Sequence, residues 1–196
     1  MNRNGVLAVV AVTLAIGWVI GRNCAAPTRP RAFETLSHPS GGANARTGCV
    51  VGVNSFFGSD CERALVGAID GARDEVLVAI YSLTRRTISG SLARAAQRGV
   101  KVAVRYDEKS ADEGHDMLET IEFLKRRKVR CEAVGFGDSR ARMHHKFTVV
   151  DRRIVLTGSY NYTTTATEQN RENLVVIESS TVAAAYAAEF GNLRSR

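Results

Sequence analysis

Apolar and polar positions fall into three regimes along the 196 residues. Residues 5–21, GVLAVVAVTLAIGWVIG, are uncharged throughout. As a helix such a run spans roughly 25 Å, near the lower limit for crossing a bilayer. It is apolar on every side and terminal, which argues against a buried core helix. Residues 1–22 are therefore expected to be a hydrophobic anchor, or alternatively a cleaved signal peptide. The anchor is preferred because the cleavage region is poor: Asn23 is large and Pro27 sits just beyond. Residues 23–47 contain Pro27, Pro30, Pro39 and Gly41–Gly42 and read as a linker. Residues 48–196 alternate β-rich runs with helical stretches and read as one folded domain.

Within that domain, strands are expected at Cys49–Val53, Glu75–Tyr81, Val100–Tyr106, Val129–Val134, His144–Val150, Arg152–Thr157 and Asn173–Glu178. Ser59 and Asp60 offer an N-cap to a helix with Ala64, Leu65, Ala68, Ile69 and Ala72 at helical spacing. Further helices are expected at Ile88–Gln97, stopped by Gly99, at Met117–Arg127 and at Val182–Leu193. In the helix at Met117–Arg127, Leu118, Ile121, Phe123 and Leu124 are expected to face the core. Strands interleaved with helices predict an α/β sandwich whose mixed central sheet is flanked by helices. The close succession of strands after residue 144 predicts an antiparallel part, turning at Asp151 and Arg152.

Charge changes this picture little. The formal net charge is +7, but residues 1–31 hold Arg3, Arg22, Arg29 and Arg31 and no acid, so the remainder carries 23 basic and 20 acidic residues, or +3. Bulk charge alone is a weak argument for a polyanionic partner. The basic run Lys125–Arg130 reads as a solvated helix end. No Cys-x-x-Cys pair occurs, and no histidine stands at zinc-ligand spacing. Cys49 and Cys61 are either separate buried thiols or, in an exported domain, a disulfide. His115, among acids, reads as a solvated helix start rather than a metal site.

Candidate chemistry gathers between residues 144 and 161, HHKFTVVDRRIVLTGSYN. Strand alternation sends His144 and Lys146 to one face and His145 to the other. Ser159 and Asn161 share a face by the same rule. An imidazole can act as nucleophile or proton carrier, while an ammonium and a carboxamide can stabilise phosphoryl oxygens.

The spacing His144-x-Lys146-x4-Asp151-x6-Gly158-Ser159-x-Asn161 resembles the phosphohistidine motif of the phospholipase D superfamily. AIYSLT and RGVKVAVRYD upstream, and NREN at Asn170–Asn173, extend the likeness over about residues 49–193. One motif copy in a short chain resembles bacterial endonucleases of the Nuc type and, more distantly, mitochondrial members of the Zucchini type. This chain departs from the latter in lacking their Cys/His insertion.

The resemblance implies a metal-independent phosphodiesterase without a cofactor. His144 would attack phosphorus and a second histidine would serve the leaving oxygen. Lys146, Ser159 and Asn161 would hold the phosphate, and Glu172 would orient His144. Asp151 belongs to the motif's catalytic set, with an orienting role. Two histidines are needed and one motif is present, so a homodimer sharing one active site is implied. The substrate class implied is DNA or RNA, with Arg140 and Arg142 as candidates for binding it. Arg152 and Arg153 also flank the motif. A membrane-associated lipid hydrolase and a non-enzymatic nucleic-acid-binding protein are the alternatives. The N-terminal run implies a membrane-anchored or exported protein, periplasmic if bacterial.

Overall fold

The computed structural model describes residues 52–137 and 140–194. In chain order these form β1 (Gly52–Phe57), α1 (Asp60–Asp70), β2 (Glu75–Ile80), α2 (Arg86–Gln97), β3 (Lys101–Asp107), α3 (Glu108–Asp112) and α4 (His115–Arg126). There follow β4 (Arg130–Val134), β5 (Lys146–Val150), β6 (Ile154–Gly158), α5 (Thr164–Glu168), β7 (Asn173–Glu178) and α6 (Ser180–Asn192). The strands make one seven-stranded sheet in the order β1-β7-β6-β5-β2-β3-β4.

The sheet is mixed, as the alternation predicts. β2, β3 and β4 are parallel, joined by helical crossovers, and the remaining pairings are antiparallel. β2 is buried on both faces along Val76–Ile80, which explains its unbroken apolar run. One face packs Val76, Val78, Ile80, Val104 and Leu174 beneath Leu65, Ile69, Leu92, Ile121 and Leu124 of α1, α2 and α4. The other packs Leu77, Ala79, Phe147, Val149 and Val155 beneath Ala183 and Phe190 of α6.

Several expectations shift. The first strand is Gly52–Phe57 rather than Cys49–Val53, because it pairs with β7 from Gly52↔Glu178 to Phe57↔Asn173. Its alternating half-exposure marks an edge strand, where polar Asn54 and Ser55 are tolerated. Leu118 does not face the core. α4 buries Met117, Ile121 and Leu124 at i, i+4 and i+7, which turns Leu118 outward at 40% exposure. Helices α3 and α5, five residues each, are too short to show a period; Asp107 and Thr163 cap them. Ser59 stands at the start of α1 but makes no side-chain cap bond.

The anchor or signal segment, the linker and Cys49 lie outside the described residues. Among the described residues no helix is long and apolar enough to cross a membrane. Cys61 is a free buried thiol whose Sγ donates to the Phe56 carbonyl, and burial pushes its pKa up to about 11.

Candidate active site

The register of the sheet decides which motif residues meet. Ile80 pairs with Lys146, so the C-terminal end of β2 lies beside the start of β5. Gly158 pairs with Leu174, bringing the end of β6 and the start of β7 to that same edge. His144, Lys146, Ser159, Asn161 and Glu172 therefore gather at one edge of the sheet.

His144 and His145 precede β5 rather than belonging to it, since the ladder begins at Lys146. Alternation nonetheless persists through this extended segment. His145 turns to the α6 side, where Nε2 lies 3.2 Å from Glu189 Oε1 and its ring packs on Phe147. His144 turns to the other side. Its ring stands edge-on to Tyr81, with centroids 4.7 Å apart. Burial, followed by the charge of Lys146, holds the His144 imidazole below its ordinary pKa, against the opposite pull of Asp107.

Lys146 donates to the His144 carbonyl at 3.0 Å, and its ammonium lies 5.1 Å from the Tyr81 ring centroid. Burial also lowers the Lys146 pKa, countered by the charge of Glu172. Tyr81 thus touches both residues of the H-x-K pair. Strand patterning marks Tyr81 only as the end of an apolar run. Its position directly before a polar turn, in AIYSLT, is the one local signal of a further role.

Ser159 hydroxyl donates to Glu172 Oε2, and Asn170 amide donates to Glu172 Oε1 at 3.0 Å. The Asn173 N–H in turn donates to Ser159 Oγ at 3.1 Å. The Glu172 backbone is fixed as well, its carbonyl accepting from the Gly58 N–H at 3.1 Å. Glu172 is not hydrogen-bonded to His144 within this chain, contrary to the role expected for it. Its two oxygens bind Ser159 and Asn170 instead.

Gly158 is required by close approach. A Cβ there would stand 2.2 Å from the Asn173 carbonyl oxygen. Beyond it, Tyr160 and Tyr162 are fully buried, bonded to Thr167 Oγ1 at 2.6 Å and Thr148 Oγ1 at 2.8 Å. These anchors hold Asn161 between them. Asn161 Oδ1 is buried without a hydrogen-bond partner. Rotating the carboxamide exchanges this acceptor for an NH2 donor.

Asp151 is not part of this cluster. It lies at the opposite end of β5, in the turn to β6, where Asp151 and Arg152 both take positive φ (51° and 50°). Its carboxylate accepts backbone N–H groups of Arg73 (3.1 Å), Asp74 (2.8 Å) and Glu75 (3.0 Å). The expected catalytic placement is corrected: this motif residue ties the β5–β6 turn to the start of β2. Arg152 and Arg153 lie at that same remote turn. Arg142, one of the two arginines expected to bind nucleic acid, is engaged within the chain. Its guanidinium donates to the Arg140 and Ala141 carbonyls and to Glu113, 3.4, 3.2 and 3.5 Å away. Arg140 remains exposed. Among the described residues, no group of three or more His, Cys, Asp or Glu side chains is arranged to hold a metal ion.

Comparison with known proteins bears on the family and the fold. A Rickettsia bellii phospholipase D is 29% identical over 138 residues, covering 70% of this chain and 66% of that one. A human mitochondrial cardiolipin hydrolase is 28% identical over 166 residues, covering 84% of this chain and 63% of its own length. The match thus spans somewhat less than two-thirds of the length of these curated relatives. The crystal structure of Nuc, a phospholipase D family member from Salmonella typhimurium, superposes with a TM-score of 0.67 at 25% identity. That superposition covers 72% of this chain and 93% of Nuc. The family model described as "Cardiolipin synthase, PLD-like domain" matches residues 65–194, and the chain belongs to this phospholipase D-like family.

Proposed function

We propose that this chain is a phosphodiesterase of the phospholipase D type, acting on nucleic acid as an endonuclease, in a homodimer that pools two sites. The observation that carries it is the convergence of His144, Lys146, Asn161 and Glu172 at one edge of the sheet. The imidazole, the ammonium and the carboxamide that a phosphoryl group requires all come to that edge.

In the first step a neutral nitrogen of His144 attacks phosphorus, and the P–O bond to the leaving group breaks as the P–N bond forms. Lys146 and the Asn161 amide donate to the non-bridging oxygens as their charge grows. The lowered pKa of His144 favours the neutral nucleophile near neutral pH. The leaving oxygen takes a proton from the partner subunit's His144. That imidazole then removes a proton from water, which attacks phosphorus and breaks the P–N bond. Two histidines suffice for this cycle, and one chain brings one to the edge. Within a chain Glu172 binds Ser159 and Asn170, so on this reading a carboxylate partner for His144 comes across the dimer axis.

Nucleic acid is favoured over lipid because Nuc is matched over nearly all of its length. The lipid reading draws on the relatives named phospholipase D and cardiolipin hydrolase. Residues 5–21 would hold the enzyme at a membrane. The test incubates the full chain with single- and double-stranded DNA, RNA and cardiolipin vesicles, with EDTA present, beside His144→Ala. Cleavage of nucleic acid that survives chelation and vanishes in His144→Ala supports the reading. Cardiolipin hydrolysis alone, or cleavage that needs added divalent metal, overturns it. Sedimentation equilibrium of an active monomer would overturn the shared site.

A further inference from the structure

Asp107, the last residue of β3, is the one charged side chain wholly buried among the described residues, at 2% exposure. A buried carboxylate is costly in lost hydration unless it is closely compensated. Here compensation comes from two backbone donors. Oδ1 accepts the Ser110 N–H at 2.8 Å, which caps α3, and Oδ2 accepts the Met143 N–H at 2.8 Å. Arg142 Nε stands 3.9 Å from Oδ1.

The second of these bonds reaches the residue beside the candidate nucleophile. Met143 directly precedes His144 and is itself buried at 2% exposure. His144 lies ahead of the β5 ladder, so strand pairing does not hold it. Its segment is pinned on either side: Asp107 binds the N–H of Met143, and the Tyr81 N–H donates to the His145 carbonyl at 2.9 Å. A neutral Ser or Asn would cap α3 about as well as Asp. The cap alone therefore does not account for burying a full charge here.

We propose that Asp107 is a positioning residue for His144, anchoring through the Met143 N–H the loop that carries the imidazole. The proposal rests on the reading of His144 as the reacting group. The Tyr81 ring from the end of β2 touches that imidazole, and the charges acting on it are those of Lys146 and His145 from its own segment and of Asp107 from β3. Of these, Asp107 is the one whose charge favours the imidazolium; Lys146 and His145 oppose it. In the cycle above one His144 must carry a proton while the other does not. The charge of Asp107 pulls toward the protonated form.

The test uses the full chain with Asp107→Ser and Asp107→Asn. Serine keeps the α3 cap, is too short to reach Met143, and removes the charge. Asparagine is nearly isosteric and neutral. Both are expected to lower kcat by about 10- to 100-fold with KM within about two-fold, as for a small displacement of a reacting group. The acid limb of the kcat profile, and the His144 ring-proton NMR titration, should both move to lower pH. An unmoved His144 titration in either folded variant overturns the proposal. So does a loss of kcat that merely follows a loss of Tm. The NMR readout needs no turnover, so it separates this inference from the catalytic reading, which fails instead if His144→Ala stays active.

Discussion

The ring of Tyr81 stands edge-on to the imidazole of His144 and also faces the ammonium of Lys146, at 4.7 and 5.1 Å between centres. One aromatic side chain thus limits the rotamers of both residues of the H-x-K pair. Edge-on ring pairs and cation–π contacts each contribute about 0.5–1.5 kcal/mol. Tyr81→Phe should keep nearly full activity, because the contacts run through the ring. Tyr81→Leu should lower kcat about ten-fold while binding changes little, corresponding to about 1.4 kcal/mol of lost orientation. Steady-state kinetics of the two variants checks this, and equal losses in both would instead place the role at the hydroxyl.

Asp151 should matter for stability and not for chemistry. Its carboxylate accepts three backbone N–H groups in a turn whose two central residues both have positive φ. Asp151→Ala should destabilise by about 2 kcal/mol, the scale of hydrogen bonds to a charged group. The pH dependence has a definite sign. Burial pulls the Asp151 pKa upward, but the hydrogen bonds from Asp74, Glu75 and Arg73 outweigh it and hold the folded value below the ordinary one. The contribution is thus present above the unfolded pKa of about 4 and is lost as pH falls through the folded value. Urea melts of wild type and Asp151→Ala should converge at low pH and separate near neutrality. A constant gap at all pH values would contradict the charged role.

Gly158 should tolerate no side chain. A Cβ would meet the Asn173 carbonyl oxygen at 2.2 Å and Asn173 Oδ1 at 2.8 Å. Gly158→Ala must push β6 from β7 where Ser159 grips Asn173 and Glu172. Overpacking of this kind costs about 1–3 kcal/mol. The variant should lose activity by more than its Tm predicts, since the displaced groups hold Glu172. Thermal melts and kcat measured together test this; wild-type kcat would refute it.

Among the arginines flanking the motif, Arg140 and Arg142 should behave differently. Arg142 is held by carbonyls and Glu113, whereas Arg140 is exposed. Arg140→Ala should lower the salt slope of DNA affinity by about one unit, as for one lost phosphate contact. Arg142→Ala should leave that slope unchanged and lower Tm. The comparison is read from Kd at several salt concentrations, and a reversed pattern would assign the phosphate contact to Arg142.

Much of the molecule is legible in its amino-acid sequence. β2, β3 and β7 can be read because their apolar runs and alternation are dictated by burial on one or both faces. His144 and Lys146 can be paired, and His145 set apart, because side chains in an extended chain alternate. That rule holds even though the two histidines lie outside the ladder. The edge strand β1 and the short helices α3 and α5 are obscured. An edge strand buries too little to impose a pattern, and five residues are less than two helical turns.

What the sequence determined alone was therefore local: element types, the mixed α/β architecture, and a motif whose spacing sets out the candidate chemistry. What only the tertiary structure decided was which motif residues share a place. Asp151, central in the motif, is carried by the length of β5 to the opposite edge of the sheet. Glu172, Tyr81 and Asp107, distant in sequence, are brought to the near edge by strand pairing. Register and burial are collective properties of the whole sheet. No local window of residues encodes that the end of β3 should place a buried carboxylate against the backbone that carries His144.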